Sequence, residues 1–398
     1  MKRYRKLIVT SVLLILILLI IVLIFNQSQS PQEVDQSEDS NFNNASKTVR
    51  IFMGTGFFGS DVEKFNYIAQ CSEDVQDYCA ISSKRRDFEK ASAVVFHARD
   101  YKNSRHQIMN RIQSFLNRND IDYYFSHRNS SVPYVIWTFE SPMNEREFPQ
   151  PPHIINWTMS YKLSSDITFP YGAFRPKNNS DYDAQKIWDM KKTSKTGADI
   201  AWMVSNCDTP NKRLEIVKKL QELGLKIDIF GDCGIVPEGC SRYTQTEGCE
   251  TRLISPYKFY IAMENSNCRH YVTEKFWRNM KQRMTVPIVL GKKTYVEAGI
   301  PESSFIAIDV FKNLTDFSEF MKSAIQNQTK YMEFHQWRND YEVSDVMETG
   351  DNDYGFCKLC QKLHSGEHLK TKKWYNELMG KWHTTQECDN EIGYRFLE

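Results

Sequence analysis

Four polar side chains lie between two apolar segments in the second half of the chain, and their types suit the binding of a phosphorylated ligand. They are Asn265, Tyr271, Glu274 and Lys275, within the stretch YIAMENSNCRHYVTEKFWRNMKQRMTVPIVLG that runs from 260 to 291. Apolar residues at 259–263 and 286–290 predict strands, and Thr273 can cap the helix between them, which makes a βαβ unit. Phosphorylated ligands bind at such strand-to-helix junctions. A lysine in the first helical turn opposes the helix dipole unless an anion lies nearby, so Lys275 favours a ligand site over packing alone.

A second cation occupies the same kind of position earlier in the chain. Residues 200–204 predict a strand. Thr209 and Pro210 are an N-cap and a favourable first residue of a helix that ends at Gly224. Arg213 lies in the first turn of that helix, where its guanidinium and the lysine described above can converge on one diphosphate. The alternative interpretation is a solvated helix charge.

A carboxylate follows a buried strand in the first half of the chain. Glu140 stands in the segment WTFESP, directly after the apolar run 135–139, and Pro142 ends the strand. We expect Glu140 to project from the carboxyl end of this strand toward a cleft, where it can act as a general base. The alternative is a helix-capping or salt-bridged glutamate.

Three DxD triplets could in principle hold a divalent metal ion. They are Asp120/Asp122, Asp181/Asp183 and Asp351/Asp353. None follows a convincing apolar strand directly, and triplets of this kind arise by chance in a chain this rich in aspartate. We therefore predict no metal site and no required cofactor, and leave open a stimulation by Mn²⁺.

Composition excludes one class of partner. The chain of 398 residues carries 51 basic and 50 acidic side chains, for a net charge of +1. Nucleic-acid binding requires a basic surface, so nucleic acid is not an expected partner.

The length of the chain is sufficient for two α/β domains. The remaining predicted strands are 49–52, 93–96, 135–138, 225–230 and 305–308.

Several blocks of the sequence carry a family resemblance. MENSNCRHYVTEKFW followed by TVPIVLG is similar to the signature of the α1,3-fucosyltransferases, type II membrane enzymes of the secretory pathway that use GDP-fucose. The resemblance covers roughly residues 50–362 and continues, in the family's order, through VVFHARD at 94–100, WTFESP at 137–142, NWTMSYKLSSDITFPYG at 156–172, MVSNCDTPNKR at 203–213 and FCKLC at 356–360.

The resemblance implies a fold and an activity. The expected fold is α/β of the GT-B type, with two Rossmann-like domains facing a cleft. The expected activity is the transfer of L-fucose to a hydroxyl of N-acetylglucosamine in a glycan acceptor, with inversion from β in the donor to α in the product. Glu140 would then receive the proton of the acceptor hydroxyl.

The resemblance also implies roles for the residues of the donor site. Ser205, Asn206 and Asn265 would approach the phosphates, and Arg213 and Lys275 would neutralise them. Glu274 would accept hydrogen bonds from the ribose hydroxyls. Tyr260 and Tyr271 would line the nucleotide pocket, and Tyr171 would close over the donor from the first domain.

The N-terminal region predicts a membrane anchor. Leu7 to Phe25 is an uncharged stretch of nineteen residues, preceded by basic residues and followed by acidic ones. That length spans a bilayer, and the charge asymmetry places the bulk of the chain in a lumen. Together with the resemblance to the α1,3-fucosyltransferases, which implies the Golgi, the expected location is the Golgi membrane, single-pass and type II, with a cleaved signal peptide as the alternative.

We expect seven segments along the chain. They are a cytoplasmic tail (1–6), the transmembrane anchor (7–25), a flexible stem (26–47), an acceptor-side α/β domain (48–172), a linker (173–197), a GDP-fucose-binding Rossmann-like domain (198–345) and a cysteine-containing C-terminal tail (346–398).

Cysteines and glycosylation sequons agree with a lumenal protein. Ten cysteines allow up to five disulfides. The spacing of Cys71 and Cys79 suits a local loop closure, and the CxxC at Cys357 and Cys360 is interpreted as a structural disulfide rather than half of a zinc site. Sequons begin at Asn44, Asn129, Asn156, Asn178, Asn313 and Asn327.

Two other classes of function remain open at this stage. One is a catalytically silent, membrane-anchored glycan-binding protein on the same fold. The presence together of Glu140, Arg213 and Lys275 argues against it. The other is a metal-dependent GT-A transferase, which would need one of the DxD triplets.

Overall fold

The computed structural model describes the chain from residue 48 onward. The described residues are 48–60, 62, 67–101, 120–145, 153–178, 182–191, 197–241, 244–245, 248–346, 354–366, 374–376 and 382–398. The expected cytoplasmic tail, anchor and stem at 1–47 lie outside these residues, as does Asn44. In the described part of the chain, no helix is long and apolar enough to cross a membrane.

The first half of the chain forms a six-stranded parallel sheet. Its strand order is β2-β1-β3-β4-β5-β6. Strands β3 and β4 have the sequences AVVFH and YVIWT and are buried throughout, because a parallel sheet is covered on both faces. The strands are β1 (Val49–Met53), β2 (Cys79–Ser82), β3 (Ala93–His97), β4 (Tyr134–Thr138), β5 (Trp157–Ser160) and β6 (Ile167–Thr168).

The second half forms a five-stranded parallel sheet of order β14-β13-β12-β8-β9. A short antiparallel hairpin, β10 and β11, lies beside it. The strands are β8 (Ile200–Met203), β9 (Ile227–Phe230), β10 (Cys240–Ser241), β11 (Thr244–Gln245), β12 (Phe259–Ile261), β13 (Val286–Val289) and β14 (Ile306–Ala307). The strands predicted from apolar runs in both halves are confirmed, with ends shifted by at most two residues.

Ten α-helices cover the two sheets in the described part of the chain. They are α1 (Glu73–Tyr78), α2 (Asp120–Ser126), α3 (Ala184–Lys191), α4 (Arg213–Glu222), α5 (Cys249–Ile254), α6 (Glu274–Lys281), α7 (Lys292–Glu297), α8 (Leu314–Gln326), α9 (Gln328–Glu333) and α10 (Gly355–His364). Short 3₁₀ helices occur at Tyr67–Gln70, Arg85–Lys90, Glu302–Ser304, Ile308–Val310, Gln336–Asn339, Thr385–Glu387 and Tyr394–Phe396.

The segment expected as a linker, 173–197, contains a strand and a helix. Strand β7 (Gly172–Pro176) pairs antiparallel with β15 (Tyr341–Asp345) over five residue pairs. Helix α3 follows, and its Lys191 donates to the backbone carbonyls of Ser255 and Arg283. The polar composition reflects a solvent-facing helix surface, which a composition break alone does not distinguish from a loop.

The segment expected as a C-terminal tail packs into both halves of the molecule. Helix α10 contributes Phe356 and Leu359 to the core beneath the first sheet. Trp382 packs on the other face of that sheet, whereas Ile392 belongs to the core of the second. The chain therefore crosses to the second half through β7 and returns through β15.

The structure pairs all ten cysteines and corrects two local pairings. Cys71 bonds Cys357 and Cys79 bonds Cys360, so neither the loop closure nor an internal CxxC disulfide forms. Helix α10 carries the CxxC against β2 and the segment before α1, and places each sulfur opposite a distant partner. The remaining disulfides are Cys207–Cys233, Cys240–Cys249 and Cys268–Cys388.

Candidate active site

The carboxyl ends of strands from both sheets meet at one place. Ser141 follows β4 in the first half, and Ser266 follows β12 in the second. Their hydroxyl oxygens are 2.7 Å apart and buried. The Tyr271 hydroxyl donates to Oε2 of Glu140 across the same junction, at 3.4 Å. This is where open α/β sheets hold ligands, and it is where the sequence placed its candidate residues.

Glu140 lies at the mouth of this junction, as predicted, with its side chain 19% exposed. Its Oε1 is 3.4 Å from Nη2 of Arg99, and its Oε2 accepts from Nδ2 of Asn144 at 3.1 Å. The alternative interpretation, a salt-bridged glutamate, is therefore partly correct, because Arg99 is close enough to form an ion pair. Arg99 also lies 3.8 Å from Oε1 of Glu145, which is buried. We call Arg99, Glu140 and Glu145 the acceptor-side cluster.

Two of the three candidate tyrosines lie at this junction. Tyr171 donates to the carbonyl of Phe139 at 2.7 Å and packs against Tyr271. Tyr260 differs, because it lies inside β12, is 2% exposed, and places its hydroxyl 3.4 Å from the carbonyl oxygen of Met203. It is a core aromatic residue of the second sheet rather than a wall of an open pocket.

Arg213 is in the first turn of α4 as predicted, but the helix begins at Arg213 itself. Lys212 adopts a left-handed conformation with φ 54°, and the Thr209 hydroxyl donates to Asn211 instead of capping the helix. The predicted N-cap, Thr209, is therefore three residues before the observed one, Lys212. Lys212 breaks the helical backbone, and the turn before it is stabilised by side-chain hydrogen bonds.

The Arg213 guanidinium is buried and joins two loops. Its Nη1 donates to the carbonyl of Met263 at 2.6 Å, and its Nη2 donates to the carbonyl of Asn206 at 3.1 Å. Its Nε has no hydrogen-bond acceptor among the described residues. Burial lowers the pKa of Arg213, and nearby Glu264 opposes that shift, so the group stays a cation. A solvated helix charge is thereby excluded.

Lys275 lies between two carboxylates at the start of α6. Its Nζ is 3.2 Å from Oε2 of Glu264, 3.1 Å from Oε1 of Glu274 and 2.8 Å from the Thr273 hydroxyl. Thr273 caps the helix as predicted. Burial lowers the pKa of Lys275, but the two carboxylates outweigh it and raise the pKa overall. We call Glu264, Glu274 and Lys275 the donor-side cluster.

The three remaining donor-site candidates lie on loops at the carboxyl edge of the second sheet. Ser205 and Asn206 follow β8, with Ser205 half-buried and Asn206 exposed. The Ser205 hydroxyl accepts from the backbone N–H of Asp232 at 3.4 Å. Asn265 follows β12, and its Oδ1 accepts from Ser266 at 3.3 Å. The two loops that carry these side chains are the ones whose carbonyls, at Asn206 and Met263, accept hydrogen bonds from the Arg213 guanidinium.

Sequence reasoning missed three residues of this region: Glu264, Arg99 and Glu145. Glu264 is 2% exposed and accepts from both the N–H and the hydroxyl of Thr273, at 2.7 and 2.8 Å. Its position directly after a buried strand was a usable signal, because a carboxylate there must be paired. Nothing local in the sequence marks Arg99 and Glu145, since their pairing arises between separate strands.

His270 adjoins the donor-side cluster in sequence but contacts the first half of the molecule. It has a φ of 60° and accepts through Nδ1 from the backbone N–H of Leu163 at 3.4 Å. Burial, together with the charge of Arg269, lowers the pKa of His270. The imidazole is therefore neutral near pH 7.

Of the six DxD aspartates, the structure describes the side chain of Asp183 alone. Asp183 is exposed and accepts from the backbone N–H of Lys186, and the side chains of Asp120 and Asp122, together with Asp181, Asp351 and Asp353, lie outside what the structure describes. Within the described ranges, no group of three or more His, Cys, Asp or Glu side chains has metal-binding geometry.

The glycosylation sequons differ in accessibility. Asn129, Asn178, Asn313 and Asn327 are exposed. Asn156 is 8% exposed, and its Oδ1 accepts from the N–H of Tyr134 and from Arg128 at 2.9 and 2.6 Å. A glycan on Asn156 has no room in this fold, so the expectation of a glycan there is corrected by its burial.

Comparison with known proteins decides the family. The family model described as "Glycosyltransferase family 10 (fucosyltransferase) C-term" matches residues 188–382, and the model "Fucosyltransferase, N-terminal" matches 22–172. Alpha-(1,3)-fucosyltransferase fut-6 of Caenorhabditis elegans is 38% identical over 88% of this chain and 84% of its own. The chain belongs to the family 10 fucosyltransferases. It is therefore a glycosyltransferase, as the sequence blocks indicated.

More distant relatives of this fucosyltransferase extend across animals. The human alpha-(1,3)-fucosyltransferase 7 is 29% identical over 76% of this chain and 77% of its own. A crystal structure of an α1,3-fucosyltransferase with GDP-fucose has a TM-score of 0.50 at 13% identity and covers 84% of this chain and 94% of its own. That likeness establishes the fold, a GT-B-like pair of parallel α/β sheets.

Proposed function

We propose that this enzyme transfers L-fucose from GDP-β-L-fucose to a hydroxyl of an N-acetylglucosamine residue in a glycan, forming an α1,3 linkage with inversion. The observation that carries the proposal is the position of Glu140 beside the loop that leads from β12 to α6, the helix whose first turn carries Lys275. The Tyr271 hydroxyl, on the donor-side loop, lies 3.4 Å from the Glu140 carboxylate, so the two sets of groups border one space.

The reaction needs one base and one cationic site, and the two sides of the junction supply them separately. The acceptor hydroxyl oxygen attacks the anomeric carbon of fucose and gives its proton to Glu140. The bond from that carbon to the β-phosphate oxygen breaks, and GDP leaves with its charge facing Arg213 and Lys275. A single displacement of this kind inverts the anomeric configuration.

Donor binding requires a rearrangement within the donor-side cluster. Lys275 is already neutralised by Glu264 and Glu274. Glu264 is fixed by Thr273 and buried, whereas the Glu274 side chain is 38% exposed. We therefore propose that Glu274 turns away from Lys275 to accept the ribose hydroxyls, which releases the ammonium to the diphosphate.

The function is tested by incubating the purified enzyme with GDP-fucose and a panel of acceptors. The panel contains N-acetyllactosamine, its GalNAc-capped analogue and an N-glycan with a chitobiose core. We expect an α1,3-fucosylated product from at least one acceptor and release of GDP in equal amount. Binding of glycan without any GDP release above hydrolysis would favour the silent glycan-binding alternative.

We also propose that residues 7–25 anchor the enzyme in the Golgi membrane with the catalytic domain in the lumen, joined by the stem at 26–47. The uncharged segment and its flanking charges support this orientation. Protease protection of the full-length chain in intact microsomes tests it. We expect glycans at exposed sequons such as Asn129 and none at Asn156, and digestion of the catalytic domain in unopened vesicles would contradict a lumenal orientation.

A further inference from the structure

Arg99 is shared by two carboxylates whose environments differ. Its Nη2 is 3.4 Å from Oε1 of Glu140, and its Nε is 3.8 Å from Oε1 of Glu145. The Arg99 side chain is 37% exposed and its guanidinium lies over the ring of Phe58 at 5.2 Å, so it has room to shift between the two partners. Glu145 Oε1 has no hydrogen-bond donor among the described residues.

A tight turn fixes Glu145 beneath Glu140. The backbone N–H of Glu145 donates to the carbonyl of Ser141 at 3.0 Å. The Thr138 hydroxyl makes a short hydrogen bond to Oε2 of Glu145, and the same oxygen of Thr138 accepts from the backbone N–H of Glu140 at 3.1 Å. Glu145 therefore cannot follow Arg99. The arginine must move if the balance between the two carboxylates changes.

We propose that Glu145 is a positioning residue for the transfer reaction, which competes with Glu140 for Arg99 and, when ionised, draws the guanidinium away from the oxygen that receives the acceptor proton. The inference rests on the proposed function. Glu145 is buried, and in this proposal it acts on Glu140 by changing the position of Arg99.

The environment of Glu145 sets the pH range in which it competes with Glu140 for Arg99. Burial raises the pKa of Glu145 to about 7, with the neighbouring charges of Glu140 and Asp100 adding to the shift and Thr138 and Arg99 opposing it. Tyr161 also faces it, and burial raises the pKa of that phenol so far that it stays neutral. Below this pH Glu145 is neutral and Arg99 pairs with Glu140. Above it, two carboxylates compete for one cation.

We therefore expect turnover to rise with pH as Glu145 becomes ionised. A guanidinium paired with Glu140 occupies an oxygen that the acceptor hydroxyl needs. Ionised Glu145 removes that obstruction. We expect kcat of the wild type to rise about tenfold through about pH 7, the scale of one hydrogen bond to a charged group.

The experiment measures kcat and KM against pH for the wild type and Glu145→Gln, with saturating GDP-fucose and a working acceptor. The amide stays neutral, so we expect Glu145→Gln to lack the rise near pH 7, with about tenfold lower kcat at about pH 8 and a nearly normal rate at about pH 5.5. The matched control is Glu222→Gln, which removes an exposed carboxylate on α4 and is expected to keep the wild-type profile.

A second variant separates positioning from folding. Because the Thr138 hydroxyl lowers the pKa of Glu145, Thr138→Val is expected to move the rise to higher pH. A Glu145→Gln profile that parallels the wild type at every pH overturns the proposal, and so does an unshifted rise in Thr138→Val. If Glu145→Gln loses GDP binding, the pH profile of kcat for Thr138→Val becomes the test of the proposal. Absence of any turnover by the wild type would instead overturn the proposed function.

Discussion

The two sides of the cleft use the same motif, one cation between two carboxylates, with different tightness. On the donor side Lys275 lies 3.1 and 3.2 Å from its two partners and is 22% exposed. On the acceptor side Arg99 lies 3.4 and 3.8 Å from its partners and is 37% exposed. In both clusters the more buried carboxyl, Glu264 or Glu145, has a pKa raised mainly by burial.

The difference matches the chemistry that each side must perform. A leaving diphosphate needs a nearby cation. In the proposed mechanism this cation is Lys275, which the buried Glu264 and the Thr273 hydroxyl hold in place until Glu274 turns away. A general base must gain a proton during the reaction, so a strong fixed counter-charge beside it would oppose catalysis. In the proposed mechanism, the loose contact of Arg99 lets the guanidinium move away from Glu140, which then accepts that proton.

The largest effect is expected at the base itself. Glu140→Gln keeps the size and hydrogen-bonding shape of the side chain but cannot accept a proton. We expect turnover to fall by about a thousandfold, within the range for loss of a general base. GDP binding, measured by calorimetry, should stay near the wild-type value because the donor-side cluster is untouched. A wild-type rate in this variant would mean that the base is misassigned.

Removal of the donor-side cation should produce the next largest effect. Lys275→Ala is expected to lower kcat/KM for GDP-fucose by about tenfold to a hundredfold, the scale of a charge-assisted hydrogen bond in a buried site. Lys281→Ala, in the last turn of the same helix, is the matched control and should leave the kinetics unchanged. Equal kinetic constants for the two variants would contradict the role of Lys275 as the cation of the donor-side cluster.

The raised pKa of Glu145 predicts a dependence of folding stability on pH. The pKa of about 7 in the folded protein lies above the usual glutamate value of 4.5, so the unfolded chain releases this proton at lower pH. The contribution of Glu145 to the free energy of unfolding is fully present at pH below its pKa in the unfolded chain. It is lost as pH rises through its pKa in the folded protein, by up to about 3 kcal/mol.

Denaturant unfolding at low and at neutral pH measures this contribution. Glu145→Gln should lose less stability than the wild type between about pH 5 and about pH 8, because the amide does not titrate. Glu264→Gln is the donor-side counterpart, and it should be destabilised at both values because it leaves Lys275 with a single carboxylate. Identical pH dependence in the wild type and Glu145→Gln would show that this carboxyl is not shifted.

The smallest effect is expected at the exposed carboxylate of the donor side. If Glu274 exchanges Lys275 for the ribose hydroxyls, Glu274→Gln should raise KM for GDP-fucose by about fivefold to tenfold, as for one lost hydrogen bond. The same substitution should have little effect on KM for a donor that lacks the ribose hydroxyls. A full effect with that analogue would place the role of Glu274 elsewhere.

The sequence predicted the parts of this site that are encoded locally. Apolar runs located the strands, and Thr273 predicted the start of α6, because capping depends on a few consecutive residues. The positions of Arg213 and Lys275 in first helical turns followed from the same local signals. The start of α4 was misplaced because the left-handed conformation of Lys212 has no counterpart in its residue type.

Features that depend on tertiary pairing could not be predicted. Cys71 has Cys79 nearby in sequence, yet it bonds Cys357, 286 positions away, because α10 returns to the first sheet. Arg99 and Glu145 are ordinary charged residues until β3 and β4 align side by side. The burial of Asn156 could not be predicted either. Its sequon is intact, but its side chain is buried and accepts hydrogen bonds from Tyr134 and Arg128.

Turnover in the presence of a chelator tests most directly whether side chains, and not a metal ion, neutralise the departing diphosphate. The rate should be measured with excess EDTA for the wild type and for the double variant Arg213→Ala/Lys275→Ala. We expect the wild type to keep its full rate and the double variant to lose at least about a hundredfold, as expected for two charge-assisted contacts. A wild type that EDTA silences and Mn²⁺ restores, or a double variant that retains normal turnover, would contradict this account of the cleft.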